Sequence, residues 1–555
     1  MKAHLLNPTL RKFLAAGTLG VATIIGFPGS VHAARPNIIV IQTDDQNYQT
    51  VKSSFRGKNG KSSLTMPATV KKIYRGGTQF RNFYTTSPVC SPSRASLLTG
   101  QYPANSKLVS NEGSRGGWEG WKKLPIYNKN LAVSLQDSGY RTAHVGKFTN
   151  GYYDQAYDRV DTTIPPGWNN WFTTAYLPGT RYYGYKINDN GFAVGPYGNP
   201  DYYRNGPGID SRKCTKKTLQ APPNSLNCNY LQDVMTRFAV RTIKQKRNKP
   251  LFLSLDYQAP HGDVRPPKGP QAATRHLDTA GRTPLPRDEN FNEKDISDKS
   301  PLIQSYISNP LGGAEIQQIT NVYRRELESL RSVDDGVRAI FKTLRKTGRL
   351  DNTYVFYLSD HGYFFGEHRF GLAKFLPYEP SSRVSMAVRG PDVPRGQTSN
   401  EVTGNIDVPA TILRLAGADS NYAVDGRSLR SFWKDPSKKT TRPLGISLEA
   451  ANVEEEEEIE EASTVATTDG ASISAKAPAL RYHAVRIGPY KLIDYRQGGD
   501  ELYNLSNDPY ELRNRFDADR YEAVRSYMKN QLKQVRNCSG SACREVAPPW
   551  PLPGD

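Results

Sequence analysis

Cysteine and long hydrophobic runs are both scarce in this sequence. The 555 residues include five cysteines, which is an odd number. A single long apolar stretch, at residues 13–27, follows basic residues and precedes small ones, and this pattern predicts a secretory signal peptide over residues 1–33. No later stretch approaches the length needed to cross a bilayer. We therefore expect an exported protein without a membrane span: secreted or extracellular, or periplasmic in a Gram-negative bacterium.

The sequence also lacks a nucleic-acid-binding motif and an internal repeat. Lysine and arginine outnumber aspartate and glutamate by 74 to 54, for a formal net charge of +20, yet the basic residues are dispersed rather than massed. Dispersed positive charge argues against a nucleic-acid partner and favours an anionic substrate or a polyanionic matrix. At this length we expect one large and one smaller domain.

The spacing of the cysteines separates one thiol from the others. Cys214 and Cys228 flank a polar segment, and Cys538 and Cys543 flank four small residues. Both spacings suit local disulfide loops, although other pairings remain open. With these two pairs formed, Cys90 is the odd cysteine. An unpaired cysteine in an exported protein is unusual unless it is reactive or modified.

Cys90 precedes a predicted helix start. Ser91 and Pro92 suit the cap and first turn of a helix through residues 95–98. Free N–H groups at a helix start favour a bound anion, and Arg94 adds a guanidinium suited to tetrahedral oxyanions. Two interpretations follow: Cys90 is a nucleophile beside an anion site, or it is a small buried residue that packs the helix start.

Four short apolar runs predict buried strands of a parallel sheet. They lie at residues 36–42, 141–145, 251–255 and 354–358, with helical stretches between them, which indicates an α/β fold. In open α/β sheets, ligands gather beyond the carboxyl ends of the strands. The residues at these ends are, in chain order, Asp44 with Asp45, Lys147, His261, and Asp360 with His361.

The acidic residues at the strand ends predict a divalent-cation site. Asp44, Asp45 and Asp360 supply hard oxygen ligands, and His361 stands beside the third of them. Lys147 adds positive charge that an anionic group would bridge to the cation.

Two further motifs have competing interpretations. His261 is either a general acid or base or a structural histidine. Asp334 and Asp335 lie inside an amphipathic helix predicted over residues 316–346, where neighbours point about 100° apart. We expect this second acidic pair to be structural or solvated.

The remaining stretches set the domain organisation. Residues 151–247 and 265–308 are irregular, as substrate-facing loops often are. Seven glutamates within 454–461 predict a solvated acidic insertion at 452–479, with calcium binding as the alternative. A hairpin at 482–495 and a helix at 520–535 predict a small α+β unit. We assign 34–440 to a catalytic domain, 441–545 to a C-terminal subdomain and 546–555 to a tail.

The segment CSPSRASLLTG at residues 90–100 resembles the signature of the formylglycine-dependent (type I) sulfatases. The resemblance runs from residue 36 to about 511, and its pattern is most like N-acetylglucosamine-6-sulfatases and arylsulfatases. It implies an alkaline-phosphatase-like α/β sandwich, with a large mixed, mostly parallel sheet flanked by helices. A small C-terminal α+β unit with an antiparallel sheet is implied as well.

The resemblance also implies a role for each site residue. The metal, expected to be Ca²⁺ with Mn²⁺ or Mg²⁺ as alternatives, would be bound by Asp44, Asp45, Cys90, Asp360 and His361. Lys147 and Lys374 would hold sulfate oxygens, Arg94 the aldehyde hydrate, and His261 the ester oxygen. Cys90 would be oxidised to formylglycine (3-oxoalanine) by a formylglycine-generating enzyme.

The chemistry that the resemblance implies explains these residue types. One hydroxyl of the hydrated aldehyde attacks the sulfur of a sugar or aryl sulfate, and the second then expels sulfate. The cation, the lysines and Arg94 offset charge on the sulfuryl oxygens. Asp360 or His261 is the expected proton donor to the leaving group. This sequence has Thr149 where many members have histidine, and His361 where many have asparagine.

Two alternatives accompany the expectation of an exported sulfatase. The first is a metal-dependent phosphodiesterase or phosphonate hydrolase of the same superfamily. The second is a non-catalytic polyanion-binding protein in which Cys90 remains a thiol.

Overall fold

A computed structural model describes residues 35–57, 60–152, 160–175, 182–197, 229–245, 248–263, 269–307, 309–449 and 480–547. The predicted signal peptide, Cys214, Cys228, the acidic insertion and most of the predicted tail lie outside the described residues.

A mixed sheet of ten strands forms the centre of the described fold. Its spatial order is β12-β4-β11-β10-β1-β9-β5-β6-β7-β8. The strands are β1 (Asn37–Asp44), β4 (Thr78–Tyr84), β5 (Arg141–Gly146), β6 (Asn170–Ala175), β7 (Tyr185–Asp189), β8 (Phe192–Tyr197), β9 (Leu251–Pro260), β10 (Thr353–Ser359), β11 (Met386–Arg389) and β12 (Gln397–Gly404). A separate hairpin pairs β2 (Ser54–Arg56) with β3 (Ser62–Leu64).

The four predicted strands form the parallel middle of this sheet. Strand β1 pairs in parallel with β10 on one side and β9 on the other, and β9 pairs in parallel with β5. Successive residues of β1 face opposite cores: Ile39 packs in one hydrophobic cluster and Ile38 in the other. Burial on both faces explains why these strands are continuous apolar runs. The predicted fold class is confirmed.

Helices cover both faces of the sheet. One face carries Leu231–Lys244 and Gly313–Lys346, the 34-residue helix whose apolar positions were predicted from 316 onward. The other α-helices of the described residues are Pro67–Thr69, Cys90–Thr99, Pro103–Ser106, Gly117–Lys123, Leu131–Asp137, Pro301–Tyr306, Glu379–Ser382, Asp407–Ala416, Arg430–Lys434 and Glu522–Asn537. A π-helical turn spans Val70–Tyr74, and 3₁₀ turns span Pro125–Tyr127, Thr274–His276, Leu350–Asn352, Asp519–Tyr521 and Gly540–Arg544.

The acidic pair inside the long helix is structural, as predicted. Asp334 accepts hydrogen bonds from the backbone N–H groups of Ala68 and Thr69 at a helix start. Asp335 pairs with Arg275 and lies 2.8 Å from the His276 ring nitrogen.

A second, antiparallel sheet follows the central one in sequence. Its strands are β13 (Leu444–Leu448), β14 (Tyr482–Ile487), β15 (Tyr490–Tyr495) and β16 (Glu501–Asn504), and β14–β15 is the predicted hairpin. Helix Glu522–Asn537 packs on this sheet, and the predicted Cys538–Cys543 disulfide is present. Within the described residues, no helix combines the length and the apolar composition that crossing a membrane requires.

Candidate active site

The carboxyl ends of the four middle strands meet at one edge of the sheet, and the predicted site residues meet there. Asp44 ends β1, and Asp45 follows it in a left-handed conformation with φ 62°. Lys147, His261 and Asp360 directly follow β5, β9 and β10. Parallel strands therefore bring together residues that are up to 316 positions apart in the chain.

Cys90 enters the site from the start of helix Cys90–Thr99. The helix begins two residues earlier than expected, because the cap is Val89 rather than Ser91, and the Val89 carbonyl accepts the N–H of Ser93 at 2.9 Å. Ser91 donates its own N–H to the side chain of Asn111. Cys90 therefore lies in the first helical turn, and it is fully buried.

Four of the five predicted metal ligands form one compact group. Asp44, Asp45, Cys90 and His361 each offer a ligand atom, and these atoms lie within 4.8 Å of one another. The fifth, Asp360, turns its carboxylate to other donors: one oxygen accepts the N–H groups of Asp45 at 3.2 Å and His361 at 2.8 Å. Its second oxygen pairs with a guanidinium, described next.

Arg94 connects the carboxylates of the site. Its Nε and Nη2 lie 3.0 and 2.9 Å from Oδ2 of Asp360, and Nη2 lies 3.3 Å from Asp44. Nη1 donates to the backbone carbonyl of Lys147 at 2.9 Å. With 2% of its side chain exposed, Arg94 is a buried cation that is tied to three chain segments.

Two lysines and a histidine complete the positive side of the site. Lys147 Nζ lies 2.5 Å from Oδ2 of Asp44. Lys374 Nζ lies 3.8 Å from Cys90 Sγ, 3.5 Å from Oδ1 of Asp45 and 3.3 Å from Nε2 of His261. The structure thus places both predicted lysines beside the acidic group and Lys374 beside the thiol.

The residues present fit a divalent cation. Oδ1 of Asp44 is buried and accepts no hydrogen bond, although a buried carboxylate oxygen normally has a partner. Carboxylate oxygens and an imidazole nitrogen are donors that Ca²⁺, Mn²⁺ and Mg²⁺ sites use to different extents.

The charges shift the pKa values of the site. Burial opposes ionisation of the Cys90 thiol, but Lys147 and Lys374 hold its pKa well below the usual value. Burial also opposes the Asp44 carboxylate, and Lys147, followed by His261 and Arg94, lowers its pKa nonetheless. The site is therefore built to hold negative charge on these two side chains.

Sequence reasoning missed a buried group behind Arg94. Asp256 lies 3.9 Å from Nη1 of Arg94 and 3.2 Å from Nε2 of His144, whose Nδ1 lies 2.7 Å from the Thr173 hydroxyl. Asp256 occurs directly after the predicted apolar run at 251–255, and its charge there was the available signal. Thr149, the departure from the common histidine, is buried.

Comparison with known proteins identifies the relatives of this arrangement. A family model described as Sulfatase matches residues 36–418. The chain is 29% identical over 551 residues to human N-acetylglucosamine-6-sulfatase. This alignment covers 97% of this chain and 90% of the human protein. The chain is 33% identical over 411 residues to a Caenorhabditis elegans extracellular sulfatase Sulf-1 homolog, across 73% of this chain. The chain spans only half the length of that nematode relative.

A solved structure shares the fold. It is described as a complex with its substrate, D-glucosamine-2-N,6-O-disulfate, and it superposes with a TM-score of 0.65 at 20% identity. The match covers 92% of this chain and 98% of the other.

Proposed function

Since the chain belongs to the sulfatase family, we propose that it is an exported sulfuric ester hydrolase that cleaves sulfate esters of sugars or aryl alcohols. The observation that carries this proposal is the immediate surroundings of Cys90. Its sulfur lies 3.3 Å from His361 and 3.8 Å from Lys374, within the group of acidic side chains at the strand ends. A reacting group at this position is close both to the ammonium group of Lys374 and to side chains that can bind a metal cation.

Residue 90 is the proposed nucleophile after conversion to formylglycine, the conversion being the work of a separate formylglycine-generating enzyme. Formylglycine supplies a hydrated aldehyde, whose two hydroxyls allow attack on sulfur and later release of sulfate. Arg94, one helical turn further on, orients the carboxylates of Asp44 and Asp360 beside residue 90.

A divalent cation, proposed to be Ca²⁺ with Mn²⁺ or Mg²⁺ as alternatives, fits the same position. Its ligands would be Asp44, Asp45, Asp360, His361 and residue 90. When bound, the cation supplies electrostatic stabilisation of the charge on the sulfuryl oxygens. His361 is proposed to bind it as neutral imidazole.

The remaining side chains bind the sulfate ester and move a proton. Lys147 and Lys374 are proposed to hold sulfate oxygens, since their ammonium groups line the site at Asp44 and Asp45. His261 is the proposed donor to the leaving oxygen, with Asp360 as the alternative. Burial disfavours protonation of His261, but the nearby Asp45 carboxylate raises its pKa above the usual value. A raised pKa suits a general acid at neutral pH.

The names of the relatives indicate the substrate class. The human relative is an N-acetylglucosamine-6-sulfatase, and the solved neighbour binds a 6-O-sulfated glucosamine. A net charge of +20 also favours an anionic glycan. We propose a 6-sulfated amino sugar as the first substrate to assay.

Parallel turnover assays test the proposal. We expect hydrolysis of 4-nitrophenyl sulfate and of N-acetylglucosamine 6-sulfate, and much slower hydrolysis of bis(4-nitrophenyl) phosphate. Phosphodiester turnover equal to or above that of the sulfates would instead support the phosphodiesterase alternative. Mass spectrometry of the peptide containing residue 90 is the second test. Formylglycine makes this peptide lighter than the thiol form, and a fully unconverted thiol without turnover would support the polyanion-binding alternative.

A further inference from the structure

The loop that carries Lys374 is held by the small antiparallel sheet, which lies beyond the residues matched by the family model. That match ends at residue 418, whereas β13–β16 span residues 444–504. Strands β14, β15 and β16 nevertheless contact residues 375, 378 and 379, immediately after Lys374. The loop of Lys374, a proposed substrate-binding residue, is therefore held in place by the antiparallel sheet β13–β16, to which no role has been assigned so far.

One hydrogen bond holds the residue next to Lys374. The hydroxyl of Tyr482, in β14, donates to the backbone carbonyl of Phe375 at 2.8 Å. Both side chains are buried, with 1% exposed. Burial keeps the pKa of Tyr482 well above its usual value, so the hydroxyl remains a donor.

The backbone at Phe375 needs such support. Its φ is +71°, in the left-handed region that residues with a side chain avoid. The residue before the lysine is held as well, because the carbonyl of Ala373 accepts the N–H of Phe364 at 2.8 Å. Lys374 thus lies between two carbonyls that each have a fixed partner.

Further contacts from the same sheet hold the next turn of the loop. The hydroxyl of Tyr378 donates to the Glu501 carboxylate of β16 at 2.9 Å. Lys491 of β15 lies 3.1 Å from Glu379 and 2.7 Å from Glu511. None of these groups belongs to the proposed site residues, so we expect any effect on the reaction to pass through the position of Lys374.

We propose that Tyr482 is a positioning residue for Lys374: its hydrogen bond to Phe375 fixes the loop so that the ammonium group meets the sulfate ester beside residue 90. The inference rests on the proposed function, because it takes Lys374 as a sulfate-binding residue. It adds that the C-terminal sheet is part of the apparatus that binds the substrate.

Tyr482→Phe tests this with a matched control. Removing the hydroxyl leaves a buried carbonyl without its partner, and we expect kcat/KM for 4-nitrophenyl sulfate to fall about tenfold. The control is Tyr140→Phe, which deletes the hydroxyl of another buried tyrosine. This hydroxyl makes a half-buried hydrogen bond to the backbone carbonyl of Pro36 at 3.0 Å. Pro36 precedes β1, at the edge of the sheet opposite the site, so kcat/KM should not change. A loss in the control equal to that of Tyr482→Phe would overturn the proposal.

A double-mutant cycle separates positioning from general damage. Lys374→Ala removes the group that Tyr482 is proposed to position, so adding Tyr482→Phe to Lys374→Ala should cause no further loss. Losses that multiply would show that Tyr482 acts elsewhere and would overturn the proposal.

Hydrogen exchange gives a readout that does not depend on turnover. Tyr482→Phe should speed exchange of the backbone amides at residues 373–376, and Tyr140→Phe should not. If the wild type cleaves sulfate esters but Tyr482→Phe changes neither kcat/KM nor this exchange, the positioning role is wrong and the proposed function stands. If the wild type cleaves none, the proposed function fails, and unchanged exchange in Tyr482→Phe would reject the structural part separately.

Discussion

Replacing Arg94 by lysine keeps the charge at the centre of the site and removes its geometry. The guanidinium makes contacts of 2.9 to 3.3 Å with two carboxylates and one backbone carbonyl. A single ammonium group on a shorter side chain can replace at most one or two of them. At least two of these contacts of the charged guanidinium are then lost, each worth about 1.5–3 kcal/mol. Because the retained charge offsets part of this loss, we expect Arg94→Lys to destabilise the fold by about 3–5 kcal/mol.

That loss corresponds to a measurable change in melting temperature. Unfolding entropy is about 2.1 cal/mol/K per residue, so a chain of 555 residues should melt about 3–4 °C lower for this loss. Differential scanning calorimetry of the wild type and the variant at pH 7 measures it. Turnover of 4-nitrophenyl sulfate should fall in parallel.

A surface pair provides the matched control. Arg430 contacts Asp392 through Nε at 2.8 Å and Nη2 at 2.7 Å, but 37% of its side chain is exposed. Exposed pairs contribute about 0–1 kcal/mol, so Arg430→Lys should shift the melting temperature by no more than about 1 °C. Equal shifts for the two variants would refute the argument that burial makes the Arg94 contacts strong.

Three further changes test other parts of the site and the fold. Cys90→Ala should retain a native circular dichroism spectrum while turnover falls at least about 10³-fold, because the nucleophile is absent; near-wild-type kinetics would reject residue 90 as its source. Calcium at about 100 times its Kd should stabilise the wild type by about 2.7 kcal/mol. Calorimetry should show the same gain in the control Asp392→Asn, which lies outside the site, but not in Asp44→Asn. An equal gain in both variants would contradict the predicted ligand set. Burial raises the pKa of Glu501 to about 7. Ionisation of this group therefore lowers the stability of the wild type as pH rises from about 4.5 through 7. Because glutamine does not ionise, the free energy of unfolding of Glu501→Gln should rise relative to that of the wild type by up to about 3 kcal/mol between pH 5 and 8. A constant difference in melting temperature across that range would show that Glu501 has an ordinary pKa.

The middle of the sheet was predictable from local sequence, and its edges were not. Strands β1, β5, β9 and β10 are short apolar runs because both of their faces are buried. Strand β12 has the polar sequence QTSNEVTG and pairs with β4, more than 300 residues earlier. Its conformation depends on that distant partner, and a sequence window contains no information about it.

The same distinction applies to the site. Residues at strand ends, such as Asp44 and Lys147, were found because the sheet rule places them together. The pairing of Asp360 with Arg94 and the contact of Tyr482 with Phe375 depend on tertiary packing between segments that are 266 and 107 positions apart. The periodicity of helices and strands in the sequence gives no information about such contacts.

The burial of Cys90 has a consequence for biosynthesis. The Cys90 side chain has no exposed surface. The residue begins a helix that packs against the central sheet. The proposed formylglycine-generating enzyme would reach this buried thiol only in a chain whose helix Cys90–Thr99 has not yet packed. The proposed conversion would then compete in time with folding, and a chain that folds first would keep its thiol. Under this proposal, the specific activity of a preparation would measure the fraction of chains that were converted before they folded.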